Sequence, residues 1–193
     1  MSKEYHIQII GEENIYLGKR VNLKKLYLRI NNKETFKEIV DFGEATAILP
    51  ILQEHPEPEN TEIIVIRQYR PAINKWIIEI PAGVVEKHET PEQTAVRELV
   101  EETGYKPGHL EKLASIHPTP GYSNEIIHIY VARNLQQTKT QLEPYEAIKI
   151  EKTTIKQALQ EIIRNQPADA KTLIAILLYL HLHKMHKHQR SKG

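Results

Sequence analysis

The chain has 193 residues, a formal net charge of +1 at pH 7 and no cysteine. This length is enough for one domain with a buried core and a small appendage. A charge so close to zero gives no bulk field that would favour nucleic acid or a membrane surface, and the lack of cysteine excludes disulfides, zinc–thiolate sites and a cysteine nucleophile. The N-terminus has no apolar segment of signal-peptide length, and the longest apolar run, Leu173–Leu182, is about half of a membrane span, so we predict a soluble, cytoplasmic protein.

Residues 5 to 52 are predicted to consist mainly of strands. Short runs of β-branched and aromatic residues are separated by turn residues at Gly11, Gly18 and Asn31-Asn32. The predicted strands are His6–Ile9, Ile15–Leu17, Leu26–Ile30, Phe36–Val40 and Ala47–Leu52. The first four have too little apolar mass to fold alone. We therefore predict a small antiparallel β domain over residues 1–42 that packs on the rest of the chain or on a second copy of itself.

Two further strands, Ile63–Ile66 and Trp76–Ile80, are each followed by residues suited to ligand binding. Arg67 and Arg70 follow the first strand on either side of a tyrosine, a set that suits a diphosphate or an aromatic base. Charges on an edge strand are an equally good interpretation of this pair. The second strand leads into Ala82 and Gly83. The glycine lets the backbone approach a ligand closely, and the carbonyl of Ala82 is a candidate metal ligand.

The stretch GVVEKHETPEQTAVRELVEETGY, which begins at Gly83, contains a helix with both ends marked. Thr90 is predicted to be the N-cap, Gln93 completes a capping box with it, and Pro91 lies in the first turn, where its missing N–H costs nothing. Gly104 supplies the left-handed residue that ends the helix.

Three carboxylates share one face of this predicted helix. Glu98, Glu101 and Glu102 fall at i, i+3 and i+4, so their like charges repel one another. A divalent cation such as Mg²⁺ or Mn²⁺ would relieve that repulsion, because these ions prefer oxygen ligands and commonly join carboxylates to substrate phosphates. Arg97, beside the cluster, is predicted to pair with Glu89 and to hold the helix against the preceding loop. The alternative interpretation is a solvated acidic face.

Beyond this stretch the chain is predicted to add strands at 114–116, 126–131 and 148–151 and two more helices. The loop His117–Glu125 is interpreted as a rigid, polar feature next to the site, or else as an ordinary hairpin connection. Thr154 begins one helix with a second capping box, and Asp169 caps the last. The residues predicted to face the core are Ile155, Leu159, Ile162 and Ile163 in the first of these helices, and Leu173, Ile176, Leu177 and Leu180 in the second.

The tail, residues 181–193, is rich in histidine and lysine. Such a segment suits a transition metal or an anionic partner, but a frayed and solvated helix end is the better interpretation. We assign this tail no function.

The spacing G-x5-E-x7-R-E-U-x-E-E-x-G-U, with U a bulky apolar residue, resembles the Nudix box. Tyr105 is the one departure, where an aliphatic residue is usual; all fixed positions match, at Gly83, Glu89, Arg97, Glu98, Glu101, Glu102 and Gly104. The segments Arg-Gln-Tyr-Arg, Glu-Ile-Pro-Ala-Gly and Pro-Gly-Tyr-Ser-Asn-Glu are similar to those of the ADP-ribose pyrophosphatase branch of this family. Pro120, sixteen residues beyond Gly104, agrees with the same branch.

This resemblance implies a fold and an assembly. The fold is an α/β/α sandwich around a mixed sheet over residues 43–180, preceded by the small antiparallel β domain. The assembly is a homodimer whose N-terminal sheets swap between subunits and complete the partner's site.

The resemblance also implies roles for single residues. Mg²⁺, or Mn²⁺, would be held by Glu98, Glu102 and the carbonyl of Ala82, with Glu101 and Glu146 as further ligands. Arg97 joins this cluster as a catalytic residue. The substrate-binding candidates are Arg67, Arg70, Glu79, Gly83 and Glu125.

A general base is expected from the acidic loop before the strand at 148–151. Glu146 fits that position best and Glu143 is the second candidate. Glu101 is the third, because members of the family differ on this point.

By the same resemblance the reaction is hydrolysis of ADP-ribose to AMP and ribose 5-phosphate. The alternative substrates are another nucleoside diphosphate sugar or a dinucleotide. From a different class, the chain would be a binding module that senses ADP-ribose without cleaving it; loss of box carboxylates would mark such a module, and none is lost. The sequence shows no helix-turn-helix or basic patch, so no nucleic-acid partner is expected.

Overall fold

A computed structural model describes residues 5–140 and 147–190. The chain is divided between two units: an N-terminal unit, which runs to residue 44 and includes residues 117–126, and a second unit, which contains residues 45–116 and the chain from 127 onward. The N-terminal unit is built on an antiparallel sheet in the order β1-β2-β3. Its strands are β1 (Ile7–Leu17), β2 (Asn22–Ile30) and β3 (Lys33–Asp41).

The turns of this sheet agree only in part with the prediction. Asn31 and Asn32 join β2 to β3 with φ angles of 48° and 65°, a left-handed pair that asparagine tolerates well. Gly11, in contrast, lies inside one continuous strand, where the register shifts between Ile9 and Gly11. The prediction of a turn at Gly11 between two strands is therefore wrong, because a β-bulge accommodates the glycine without ending the strand.

The predicted polar loop His117–Glu125 belongs to the N-terminal unit. The Val40 N–H donates to the Tyr122 carbonyl at 2.7 Å, and the Phe42 N–H donates to Asn124 Oδ1 at 3.0 Å. Neither interpretation of this loop anticipated these contacts, since the partners are about eighty residues apart in sequence. The loop therefore adds a separate stretch of chain to the end of β3.

The second unit contains the remaining elements. Its strands are β4 (Glu44–Gln53), β5 (Glu62–Arg70), β6 (Lys75–Glu79), β7 (Ala82–Val84), β8 (Tyr105–Lys106), β9 (His109–Ile116), β10 (Ile126–Arg133), β11 (Gln136–Gln137) and β12 (Ile148–Thr154). Its helices are α1 (Pro91–Thr103), α2 (Ile155–Arg164) and α3 (Ala170–Arg190). Seven strands form one mixed sheet in the order β12-β5-β4-β10-β9, with β6 paired to β5 and β7 to β4, while β8 and β11 pair separately.

The large sheet is covered on both faces. Along β4, Leu49 packs in one cluster with Ile155 of α2 and Ile176 of α3, while the next residue along the strand, Ile48, packs in a second cluster with Leu99 of α1. Successive side chains of a strand point to opposite faces, so α1 lies on one side of the sheet and α2 and α3 lie on the other. The predicted α/β/α sandwich around a mixed sheet is confirmed, as is the small antiparallel sheet before it.

Both predicted caps of the later helices are present. Thr154 Oγ1 accepts a hydrogen bond from the Gln157 N–H at 3.2 Å, and Asp169 Oδ2 accepts one from the Thr172 N–H at 2.9 Å. Each bond satisfies a backbone donor that the first turn of a helix leaves unpaired. Among the helices of the described ranges, none combines the length and the hydropathy needed to cross a membrane.

Two residues predicted to face the core do not. Ile163 of α2 is 65% exposed and Leu177 of α3 is 49% exposed. Helix α3 instead buries Ala175, Ile176 and Tyr179, which are spaced i, i+1 and i+4. The helix has apolar residues on several faces, so the pattern alone does not say which face packs on the sheet. Leu159, Leu173 and Leu180 are half-buried against the core, as expected.

Adjacent residues of α3 provide a matched test of this orientation. We expect Ile176→Ala to lower the free energy of unfolding by about 2–5 kcal/mol, because it leaves a cavity in the core, and Leu177→Ala to lower it by less than about 1 kcal/mol. Urea denaturation of the two variants measures both values. Equal losses from the two substitutions would contradict the orientation of α3.

Candidate active site

Helix α1 begins and ends where the sequence predicts. Thr90 Oγ1 accepts from the Gln93 N–H at 3.3 Å, and Gln93 Oε1 accepts from the Thr90 N–H at 2.8 Å. At the other end Gly104 has a φ of 72°, and its N–H donates to the Val100 carbonyl at 2.9 Å. The capping box and the left-handed glycine fix the helix termini, and therefore the direction of the side chains between them.

The guanidinium of Arg97 contacts three carboxylates at once. Its Nε and Nη2 donate to the two oxygens of Glu89 at 2.8 and 2.9 Å, and its Nη1 donates to Glu98 Oε1 at 2.8 Å and Glu101 Oε2 at 3.0 Å. The predicted pair of Arg97 and Glu89 is confirmed, and its two-pronged geometry is the strongest that arginine makes with a carboxylate. The helix is thereby tied to the loop that precedes it.

These contacts change the acidity of Glu89. The hydrogen bonds from Arg97 lower the pKa of Glu89 from 4.5 to about 2, against an opposing effect of partial burial, and the Thr94 hydroxyl adds a further hydrogen bond at 2.7 Å. The same carboxylates raise the pKa of Arg97 above its ordinary value, chiefly through the hydrogen bonds to Glu89. Glu89 therefore stays ionised at pH values where an ordinary glutamate is protonated, and it serves as the counter-ion of Arg97.

Gly83 lies directly against the carboxylate of Glu98. A Cβ atom at this position would come within 1.8 Å of Glu98 Oε1, so no larger residue fits unless Glu98 moves. Nearby, the Ala82 N–H donates to Glu102 Oε2 at 3.0 Å, and Glu102 is only 3% exposed. The residues around β7 and the acidic face of α1 are thus in direct contact, as the predicted metal and ligand site requires.

The donors of this site suit a hard divalent cation. Glu89, Glu98, Glu101 and Glu102 supply four negative charges against the single positive charge of Arg97, and their donor atoms are all oxygen. No three carboxylate or imidazole groups of the described ranges converge on one point, since the Arg97 guanidinium lies between Glu98 and Glu101. The residues fit such an ion in charge and chemistry. Glu143 and Glu146, the predicted loop glutamates, lie outside the described residues.

The two predicted substrate arginines are not brought together. They are three residues apart on β5, so their side chains leave opposite faces of the sheet. Arg67 Nε donates to Glu151 Oε1 at 2.9 Å, and its Nη1 lies 2.7 Å from Glu161 Oε1 on α2. Hydrogen bonds to these carboxylates raise the pKa of Arg67. Arg67 also lines a cleft of about 520 Å³ between β6 and the connection from α2 to α3.

Arg70 belongs to a different cluster of charges. Its Nε and Nη2 donate to the two oxygens of Glu79 at 2.6 and 2.7 Å, and Lys171 donates to the same carboxylate. Glu79 is completely buried. Burial alone would raise the pKa of Glu79, but the hydrogen bond from Arg70 and the charge of Lys171 bring it below the ordinary value. Glu79, predicted to bind substrate, is thus placed to hold Arg70.

Sequence reasoning missed Lys171, Glu151 and Glu161. Each lies more than eighty residues along the chain from its partner, which is Glu79 for Lys171 and Arg67 for the two glutamates. Glu125, the remaining predicted substrate residue, lies in the N-terminal unit, where its N–H donates to Ser123 Oγ at 3.1 Å. Its role stays a prediction.

The ion pair of Arg97 makes stability sensitive to acid. A folded-state pKa of about 2, against 4.5 without the pair, stabilises the fold above pH 4.5, and this contribution is lost as the pH falls from about 4.5 towards 2. We expect the difference in unfolding free energy between wild type and Glu89→Gln to shrink over that range, as measured by urea denaturation at several pH values. A difference that stayed constant would show that the pair does not set this pKa.

Comparison with known proteins gives a consistent result. Residues 42–175 match the NUDIX domain family. A methanol dehydrogenase activator from Bacillus methanolicus is 38% identical over 98% of this chain and 100% of its own length, and an ADP-ribose pyrophosphatase from Bacillus subtilis (strain 168) is 35% identical over 90% of this chain and 92% of its own. A crystal structure of an ADP compounds hydrolase, at 20% identity, matches with a TM-score of 0.81 over 96% of this chain and 98% of that chain.

The matched region and the site agree with one another. Residues 42–175 contain every fixed position of the box, from Gly83 to Gly104, and the large sheet with helices on both faces. The solved neighbour shows the same fold across almost the whole chain. The resemblance first indicated by the box spacing is confirmed: the chain belongs to the Nudix family of hydrolases.

Proposed function

We propose that this chain hydrolyses the diphosphate bond of ADP-ribose and releases AMP and ribose 5-phosphate. The observation that carries the proposal is the acidic face of α1: Arg97 donates to Glu98 and Glu101, Glu98 lies against Gly83, and Glu102 accepts from the Ala82 N–H. The Bacillus subtilis relative, named an ADP-ribose pyrophosphatase, aligns with nine tenths of the chain and supports this choice of substrate.

Nudix hydrolases generally need a divalent metal ion, and Mg²⁺ is the ion we propose here. Glu98, Glu102 and the carbonyl of Ala82 would hold it, with Glu101 and Glu146 as further ligands. When bound, Mg²⁺ neutralises charge on the diphosphate and makes a bound water more acidic. Mn²⁺ has the same preference for oxygen ligands and is the expected substitute.

The chain's own residues then bind and orient the substrate. Arg70 keeps two nitrogens on Glu79, and its Nη1 makes no hydrogen bond among the described residues, so this nitrogen is available to a phosphate oxygen. The Arg70 side chain is 39% exposed, which gives an anion access to it. Gly83 keeps the backbone open beside Glu98. Arg67 and Glu125 remain candidates for the rest of the substrate, and Arg67 would have to share its charge with Glu151 and Glu161.

A carboxylate is needed to take the proton from the attacking water. Glu146 is our first choice, with Glu143 and Glu101 as alternatives. Arg97 contributes by holding Glu101 and Glu98 in fixed positions through its Nη1. The single substitutions Glu146→Gln and Glu143→Gln test the choice between the loop residues. The one that lowers kcat more at an unchanged KM identifies the general base.

The N-terminal sheet supports a homodimer with swapped sheets. Its side chains leave a large apolar area exposed in the single chain; among them are Ile7 at 65%, Tyr16 at 62% and Leu17 at 67%. An apolar surface of this kind on a small antiparallel sheet is normally covered by a partner. Sedimentation of the full chain should give twice its mass of 22.4 kDa, and a monomer would contradict the swap.

We also propose that the chain has no nucleic-acid or membrane partner and that it is cytoplasmic. A net charge of +1 gives no bulk field that would favour either of those partners.

Activation of a dehydrogenase is a second candidate function. The relative named a methanol dehydrogenase activator is 38% identical over its entire length, which includes the N-terminal unit. Adding this chain to purified methanol dehydrogenase and measuring alcohol oxidation tests it, with Glu98→Gln as the matched control. Activation by wild type and not by the variant would tie this function to the box.

Product formation tests the main proposal. With Mg²⁺ we expect release of AMP, faster from ADP-ribose than from other nucleoside diphosphate sugars or dinucleotides, and none with EDTA.

Glu98→Gln and Glu102→Gln should each lower kcat at least a hundredfold, roughly the loss seen when one catalytic electrostatic contact is removed, while the fold stays intact because repulsion is relieved. Near-normal turnover by either variant would contradict the metal site. Cleavage of one of these other compounds but not of ADP-ribose would identify a different substrate. Binding of ADP-ribose without cleavage would favour a binding module that senses ADP-ribose.

A further inference from the structure

The first turn of α3 contacts the end of β6 through the side chains of Lys171 and Thr172, and Asp169 holds both of them. Asp169 caps the helix, accepting from the Thr172 N–H at 2.9 Å and from the Thr172 hydroxyl at 2.6 Å. The Thr172 hydroxyl oxygen in turn accepts a hydrogen bond from the Ile80 N–H at 2.9 Å. Lys171 donates to Asp169 Oδ1 at 2.9 Å and also to Glu79. Helix α3 therefore fixes both the backbone and the charge at the point where β6 ends.

Glu79 is shared between two cations. Arg70 approaches it with Nε and Nη2, and Lys171 approaches Oε2 from the helix. The carboxylate is completely buried and Lys171 is 9% exposed, whereas the Arg70 side chain is 39% exposed. The lysine is therefore the buried counter-ion of Glu79, and the arginine is the partner that solvent and ligands can reach.

Charge balance gives Lys171 a role in binding. Arg70 and Lys171 together offset the negative charges of Glu79 and Asp169. Without Lys171, Arg70 would be the one counter-ion left for Glu79. The set of Arg70, Glu79 and Asp169 would then carry a net negative charge next to an incoming anion. In a partly buried site such a charge acts strongly over several ångströms.

We propose that Lys171 is a positioning residue that neutralises Glu79 so that the charge of Arg70 remains available to a diphosphate. That Arg70 meets a diphosphate rests on the function proposed above. The role assigned to Lys171 is argued without the metal, since Lys171 donates to Glu79 and Asp169 and neither of these is a box carboxylate.

Kinetics of two matched variants test this role. Lys171→Met removes the charge at similar length, and Lys171→Arg keeps it. We expect Lys171→Met to raise KM for ADP-ribose about tenfold or more while kcat stays within about threefold, and Lys171→Arg to remain close to wild type. A folded Lys171→Met enzyme with unchanged KM would overturn the proposal, as would a fall in kcat at constant KM.

A second measurement does not depend on turnover. The Nε–Hε resonance of Arg70, assigned with Arg70→Lys, is followed by NMR while inorganic diphosphate is added in EDTA. We expect Lys171→Met to need about tenfold more diphosphate than wild type for the same shift. The double variant Glu79→Gln with Lys171→Met should return to within about threefold of wild type, because the charge that Lys171 offsets is then gone.

The kinetic and NMR measurements together distinguish a failure of the inference from a failure of the proposed function. If Lys171→Met does not fold, the double variant decides: affinity near wild type supports the proposal, and a persistent tenfold loss overturns it. If wild type cleaves no ADP-ribose, the proposed function fails, while the Arg70 resonance still reports whether Lys171 controls anion binding. Equal diphosphate affinities of wild type and Lys171→Met would overturn the inference whatever the substrate.

Discussion

The concentration of negative charge beside Gly83 is the constraint on which the site depends. Two carboxylates of α1, Glu98 and Glu101, and that of Glu89 in the preceding loop contact a single guanidinium, that of Arg97, while Glu102 of α1 accepts from the Ala82 N–H. Their repulsion further destabilises a helix that is marginal at this length when isolated, so the helix depends on its caps, its packing through Leu99 on the sheet, and the ion pair to Glu89. Arg97 relieves only part of that repulsion. The remaining excess of negative charge suits the divalent cation that we propose for this site.

A short segment, residues 79–83, links this cluster to the second group of charges. At its start Ile80 is bonded to Thr172 of α3, and near its end Ala82 is bonded to Glu102 of α1. Because α1 and α3 lie on opposite faces of the sheet, the segment is held from both sides by regular elements. Backbone next to a ligand must be held within about 0.5 Å of its proper position, and support from two regular elements provides this.

The sequence was informative about most local determinants, although the turn predicted at Gly11 is a bulge inside β1. The caps at Thr90, Thr154 and Gly104 depend on residues three or four positions apart, and all were predicted correctly. Partners distant in sequence were not foreseen: Lys171 for Glu79, and the docking of residues 117–126 on β3. The packing face of α3 was misjudged at Leu177, since a helix that is apolar on several faces does not specify its orientation by pattern.

The division of the chain has a consequence for its ancestry. Because residues 117–126 belong to the N-terminal unit, the chain passes between the two units three times, after residues 44, 116 and 126. Neither unit corresponds to one continuous stretch of gene. A recombination event that removed the first forty residues would leave the segment between β9 and β10 without its partner strand. The backbone groups of this segment that now bond to Val40 would then be exposed. The two units are therefore expected to be inherited as one block, and their sequences to change in concert.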